Sequence, residues 1–331
     1  MDLAECDFCA HRCRIAPGGA GRCGVRHRRG SSGIETRWYR QVQVAAVDPV
    51  EKKPLYHFLP GSRAFSVALG GCNFRCSFCQ NDSIAFAERV GSPRHRWHPP
   101  ELVAAWRRSG APIIAWTYTE PAVWQDYLVD CSLLARQEGA KIAMVTNGFF
   151  TPETVERLLP VVDAFNIDLK GDDDFYRRIC GGIRQPVMET IHTIAPLRHL
   201  EVTTMIMERY HPPALLREMA GELAEAGVKV WHLSRFYPAG EMLQELPTSE
   251  EYLDQVLTEL RRLQNREPHS TPTFIFAGNS RKLGKETTYC PHCGTECIRR
   301  VPIVADDTDE GQCRRCGQRL YGTFAAKGDK L

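Results

Sequence analysis

Cys72, Cys76 and Cys79 stand at Cys-x3-Cys-x2-Cys spacing within eight residues, and the next cysteine is Cys131. A [4Fe–4S] cube normally takes four thiolates. Three from one loop therefore leave one iron open for a small molecule. A loop turns three sulfurs inward only if its backbone bends freely, and Gly70-Gly71 supply that freedom. Residues 64–69 read as a buried strand ending at those glycines, so the thiols are expected just past a strand's C-terminal end. In α/β barrels that rim carries the chemistry.

Two more thiol groups flank this one. Cys6, Cys9, Cys13 and Cys23 fall within 18 residues, enough to enclose one tetrahedral zinc ion or one auxiliary iron–sulfur cluster. Cys290-x2-Cys293-Gly and Cys313-x2-Cys316-Gly, with 19 residues between them, form the knuckles of a ribbon. So short a piece buries too little to fold alone, whereas a structural zinc supplies about 10–16 kcal/mol. Rubredoxin-like iron suits the same four sulfurs. Cys297 is a spare thiol, Cys131 reads as a buried apolar residue, and Cys180 as a loop residue able to face the barrel.

The 331 residues are 43% hydrophobic and 25% charged, an ordinary globular composition for one barrel-sized domain with appendages. No apolar stretch reaches membrane-span length, and the cysteine-rich start is unlike a signal peptide. Grouped CxxC-type thiols suit metal binding in a reducing compartment, so a cytoplasmic protein is expected. The net charge of +2 is too small to argue for nucleic acid. Although both termini are basic, stacking platforms of interleaved aromatics and cations are missing. A zinc-ribbon nucleic-acid-binding or RNA-modifying protein is thus the weakest reading.

The elements that must position the thiols alternate from residue 64 onward. Strands at 112–118, 141–145, 164–167, 201–207, 228–233 and 273–277 are separated by helices at 101–108, 121–137, 172–179, 186–196, 213–226 and 249–264, with a further helix opening at Thr151-Pro152-Glu153. Thr151-Pro152 supplies a cap and a first-turn proline, and Thr248 with Glu251 reads as a capping box. Such βα units imply a parallel sheet with six barrel strands plus one, fewer than a closed barrel needs. Glu120, Thr146, Asn147, Asp168, Lys170 and Arg235 recur at the strand ends, a set on one rim. Residues 48–62, rich in proline, form a strap; Lys52, Lys53 and His57 either approach the site or face outward from it. The expected divisions are a four-cysteine metal-binding segment at 1–33, the barrel at 34–280 and a four-cysteine ribbon at 281–331.

Several stretches together resemble the AmmeMemoRadiSam-type radical S-adenosylmethionine (SAM) enzymes, relatives of the pyruvate formate-lyase activating enzymes. These are Gly21-Arg22-Cys23-Gly24-Val25-Arg26, the strap at 48–62, Gly71 to Asn81, Phe165 to Lys170, Glu201-Val202-Thr203-Thr204, Trp231 to Pro238 and the terminal ribbon. Thr119-Glu120-Pro121 and Met207 to His211 depart from the family pattern. The resemblance implies an α/β fold, a partial (β/α)6 TIM-like radical SAM barrel with the Cys-rich N-terminal segment and a C-terminal zinc-ribbon or rubredoxin-like module.

It further implies a [4Fe–4S] cluster on Cys72, Cys76 and Cys79 that reductively cleaves SAM. The resulting 5′-deoxyadenosyl radical takes hydrogen from a small-molecule or peptide substrate. Phe78 would lie beside the adenine, Glu120 accept from the SAM ammonium, Lys170 pair with its carboxylate, and Asn147 and Asp168 bond the ribose; Thr146 and Arg235 complete the SAM contacts. Implied partners are a low-potential electron donor (flavodoxin or ferredoxin) and Memo-like and AMMECR-like proteins. Likeness to the activating enzymes also raises a glycyl-radical activase as the alternative.

Overall fold

Seven apolar runs, each bounded by turn residues, become seven parallel strands: β1 (Arg63–Leu69), β2 (Ile113–Trp116), β3 (Lys141–Thr146), β4 (Ala164–Asp168), β5 (His199–Ile206), β6 (Val230–Arg235) and β7 (Phe274–Gly278). The structure, a computed structural model, describes residues 2–30, 33–280, 285–300 and 304–326. The expected boundaries at 33/34 and 280/281 adjoin residues 31–32 and 281–284, which lie outside the described residues. The strands stand in chain order, as the registers Ala164↔Ala143 and Ala164↔His199 illustrate. Beyond β1 the antiparallel strand Gln41–Pro49 and the short strand His95–Arg96 extend the sheet. The strand order runs linearly from β7 to His95–Arg96, so the sheet is not closed. All four residues of β2 are buried, as parallel strands covered on both faces require.

The covering helices are α1 (Pro99–Ser109), α2 (Gln125–Gln137), α3 (Pro152–Leu158), α4 (Gln185–Ile194), α5 (Pro213–Glu225) and α6 (Glu250–Arg266). Thr151 caps α3 by accepting from Thr154 N at 3.2 Å, as expected. The cap of α6 differs from expectation. Ser249, not Thr248, accepts from Tyr252 N (3.1 Å), because the Thr248 hydroxyl is occupied by Phe236 N and Ile206 O. The helix expected from Pro121 opens as a 3-10 turn, Pro121–Trp124, before α2 begins. The segment expected as helix at 172–179 is the short turn Asp173–Phe175 followed by a π turn, Tyr176–Cys180.

The strap at 48–62 closes the N-terminal ends of the strands. Val50, Leu55, Phe58 and Leu59 pack on Ala64, Ile113, Ala143 and Ala164. Here His57 takes neither of its two expected placements, being fully buried and turned to the ribbon. It donates from Nδ1 to Tyr321 O (2.8 Å), and its Nε2 meets Thr288 Oγ1 (2.9 Å), both on the ribbon. At the centre of this closed end is Glu201, fully buried on β5. It accepts from Tyr56 N (2.9 Å), His57 N (2.7 Å), His199 Nε2 (2.9 Å) and His232 Nε2 (2.6 Å). Hydrogen bonds from both histidines outweigh burial and hold its carboxyl well below the usual glutamate range. The ribbon thus seals the floor, while segment 2–30 lies across the opposite rim.

Candidate active site

The C-terminal strand ends converge on a cavity of about 320 Å³. The loop after β1 turns at Gly71, whose φ is +100°; a Cβ there would lie 2.0 Å from Val25 Cγ2, so only glycine fits. Cys72, Cys76 and Cys79 all line the cavity, Cys76 buried and the other two half-buried. Two segments clamp the loop from outside. Arg75 N and Ser77 N donate to Cys180 O and Ile179 O (both 3.0 Å), and Glu241 N donates to Ser77 O (2.7 Å). Burial pushes the Cys72 thiol well up and Cys79 to about 11, so these sulfurs become thiolates only beside positive charge such as a metal. Contact with Cys180 pulls Cys76 downward.

The rim residues fall into two classes. Glu120 is 1% exposed and accepts from Ala122 N (3.0 Å), Thr146 Oγ1 (2.6 Å) and Asn147 N (2.7 Å). Burial nevertheless raises its carboxyl to about 7. Thr146 therefore orients Glu120. Asn147 is similarly committed: Nδ2 donates to Asn73 Oδ1 (2.7 Å), and Oδ1 accepts from Phe149 N (3.0 Å). Asp168 and Lys170 pair at 2.8 Å; burial opposes the lysine's charge, but Asp168, Cys76 and Cys180 keep it protonated. Lys170 Nζ lies 5.9 Å from the Phe78 ring, which stacks on Phe175. Arg235 reaches the cavity, yet its guanidinium is held by Glu250 (2.6 Å), Thr248 O (2.8 Å) and Tyr237 (3.1 Å).

Several residues that line the cavity or brace its wall from behind were missed in the sequence. Asp48, held at about 2 despite burial, accepts from Tyr118 (2.7 Å), Lys53 (2.9 Å) and Ser66 (3.0 Å). The strap thereby brings Lys52 and Lys53 to the cavity wall, the closer of the two expectations for them. Tyr118 adopts φ +68°, an uncommon conformation for a bulky residue, fixed by Asn81 Nδ2 donating to its carbonyl (2.8 Å). The nearest sequence signal was the Asp48 to Pro54 stretch itself.

The ribbon thiols are drawn tightest. Cys290, Cys293, Cys313 and Cys316 offer sulfurs all within 4.8 Å of one another, with Cys290–Cys316 and Cys293–Cys313 both at 3.6 Å. Four such thiols could hold one tetrahedral metal ion. Cys297 stays out of that set, buried against Ile298 and Leu320. At the other end, Cys13 and Cys23 accept from Arg22 N and Val25 N, both at 3.4 Å. Cys131 is buried in α2 and takes no part in the site.

The radical SAM superfamily profile matches residues 67–208. An uncharacterized protein, MJ0808, of Methanocaldococcus jannaschii is 33% identical over 327 residues, 96% of this chain and 94% of the relative. Among solved structures, Streptococcus suis SuiB bound to precursor peptide SuiA superposes with a TM-score of 0.54 at 11% identity, over 70% of this chain and 52% of SuiB. The S-adenosylmethionine-bound form of SuiB gives 0.53, again at 11% identity, over 70% of this chain and 53% of SuiB. The chain thus spans about half of SuiB, and the likeness is one of fold. With an open parallel sheet, a three-cysteine loop at its rim and a full-length relative, the chain belongs to the radical SAM superfamily and is a radical SAM enzyme.

Proposed function

We propose that Cys72, Cys76 and Cys79 hold the [4Fe–4S] cluster and that the neighbouring strand ends bind SAM. The carrying observation is that three thiols and Glu120, Asp168 and Lys170 face one cavity. The donor set fits: three sulfurs from one loop, with an adjacent carboxylate for an ammonium and a lysine for a carboxylate. When bound, the cluster supplies the electron that splits SAM into methionine and a 5′-deoxyadenosyl radical. The chain's own work is to orient and to exclude water. Glu120 receives the ammonium from a fixed position, set by its three donors. Lys170 meets the carboxylate, Phe78 covers the adenine, and Asp168 and Asn147 face the ribose, with Thr146 and Arg235 behind them.

The matched motifs support membership of the AmmeMemoRadiSam group, with Memo-like and AMMECR-like proteins as partners and flavodoxin or ferredoxin as donor. The substrate is a small molecule or a modified peptide, entering beside Lys52. Fourteen free cysteines suit a cytoplasmic setting. The 3.6 Å sulfur pairs of the ribbon suit zinc, whose bonds of about 2.3 Å put tetrahedral sulfurs about 3.8 Å apart. Anaerobically reconstituted, reduced protein given SAM should release 5′-deoxyadenosine. An intact cluster without that product would defeat the proposal. Incubation with candidate glycyl-radical enzymes should give no carbon-centred radical signal; such a signal would favour the activase alternative.

A further inference from the structure

A second thiol group abuts the cluster loop. Segment 2–30 lies across the loops after β1 and β3: Ala10 N donates to Phe149 O (3.3 Å), and His11 Nε2 donates to Asn73 O (2.9 Å). Cys9 and Cys23 share one buried core with Phe74 and Cys76. Between the two thiol groups stands Asn73, 1% exposed. On one side its Oδ1 accepts from Asn147 (2.7 Å) and lies 3.9 Å from Cys72 Sγ. On the other its Nδ2, equally buried, has no hydrogen-bond partner among the described residues, while its backbone carbonyl takes the His11 bond two residues from Cys9. One residue therefore ties the N-terminal segment beside Cys9 to a sulfur of the central three.

We infer that Cys6, Cys9, Cys13 and Cys23 hold an iron–sulfur cluster that relays single electrons to the central cluster, with Asn73 as the link. The destination of the electron rests on the proposed function; the N-terminal cluster itself does not. Zinc fits these surroundings less well. Among the described residues only the ribbon thiols all lie within 4.8 Å of one another, the closeness one tetrahedral ion needs, whereas the thiolates of a larger cluster stand further apart. The ribbon shows the contrast, with its compact four thiols at the far end of the sheet. Segment 2–30 also docks through contacts of its own: Arg26 pairs with Asp126 (2.7 Å), Thr154 donates to Phe8 O (2.8 Å), and Arg12 pairs with Glu153 (2.8 Å). The N–H groups on Cys13 and Cys23 are the kind of donors that tune cluster potentials. The electron count closes simply. A one-electron donor of the flavodoxin or ferredoxin class reduces the N-terminal cluster, which returns to its oxidised state as the central cluster gains that electron.

The test uses the full chain with Cys72, Cys76 and Cys79 all replaced by alanine, reconstituted anaerobically. Expected are retained iron and acid-labile sulfide, a paramagnetic signal after dithionite reduction, and about one zinc per chain. About two zincs without sulfide would overturn the inference, as would a chain holding neither metal. The reading of the central cysteines fails separately, if this variant carries as much iron as the parent. The relay is tested with Asn73→Ala. Iron content should be unchanged, while reduction of the central cluster by reduced flavodoxin slows about tenfold or more and reduction by dithionite changes less than about twofold. Equal effects on both reductants, or none, would overturn the relay.

Discussion

Replacing Glu201 with glutamine should destabilise the closed end of the sheet by about 3–6 kcal/mol. The figure follows from the donor count. Each carboxylate oxygen accepts two N–H groups: Oε1 those of His57 and His199, and Oε2 those of Tyr56 and His232. Glutamine keeps one acceptor oxygen and turns an NH2 toward the other pair. Two charge-assisted bonds, each contributing about 1.5–3 kcal/mol, are therefore lost in a site without water access. Against a total stability of about 5–15 kcal/mol this is a large fraction. Urea denaturation followed by circular dichroism, parent against Glu201→Gln, reads the difference directly. The pH dependence has a definite sign. The carboxyl sits well below its ordinary value of 4.5 in the fold, so its contribution is present above that pH and fades as pH falls through the depressed value. Glutamine should abolish that acid-side loss. A difference below about 1 kcal/mol would refute the idea that one carboxylate organises this end of the molecule.

Three other outcomes are expected. Glu120 titrates near 7 because burial disfavours its charge, and an ammonium ligand favours the ionised form. SAM affinity should therefore rise with pH by up to about tenfold per unit below 7, measured calorimetrically, and Glu120→Gln should be weaker and flat there. Gly240→Ala places a Cβ 2.6 Å from Ser77 O at φ +60°, so iron content should fall while the far-ultraviolet spectrum is unchanged; full iron loading would contradict this. Cys313→Ser should release the ribbon metal and open residues 285–326 to protease, with the barrel still folded; unchanged zinc content would contradict it.

The sequence made the sheet legible because its strands are buried on both faces and read as continuous apolar runs. The cysteine sets were legible because ligand spacing is local. What escaped was non-local or depended on competition. Thr248 looks like a cap until Ile206 and Phe236 claim its hydroxyl. Asp168 and Lys170 read as separate ligand contacts, and only the fold shows that they also pair with each other. Thr146 and Asn147 read as ligand contacts, and nothing local in the sequence shows that they also brace Glu120 and Asn73. Glu201 carried no sign that four donors from three parts of the chain would converge on it. His57 had the chemistry of a site residue, and only the fold sends it to the floor.

That floor has a consequence for synthesis. His57 closes on Tyr321, 264 residues later in the chain. At about 5–20 residues per second, a ribosome needs roughly 13–50 s to deliver the partner after the histidine has emerged. Through that interval the strap lacks its cover, and Thr288 and Tyr321 are still to come. The wall that carries Lys52 and Lys53 is hung from the same strap, so the catalytic cavity takes its final shape among the last events of the chain's birth. A metal ion taken up by the four ribbon thiols would fix that cover only then.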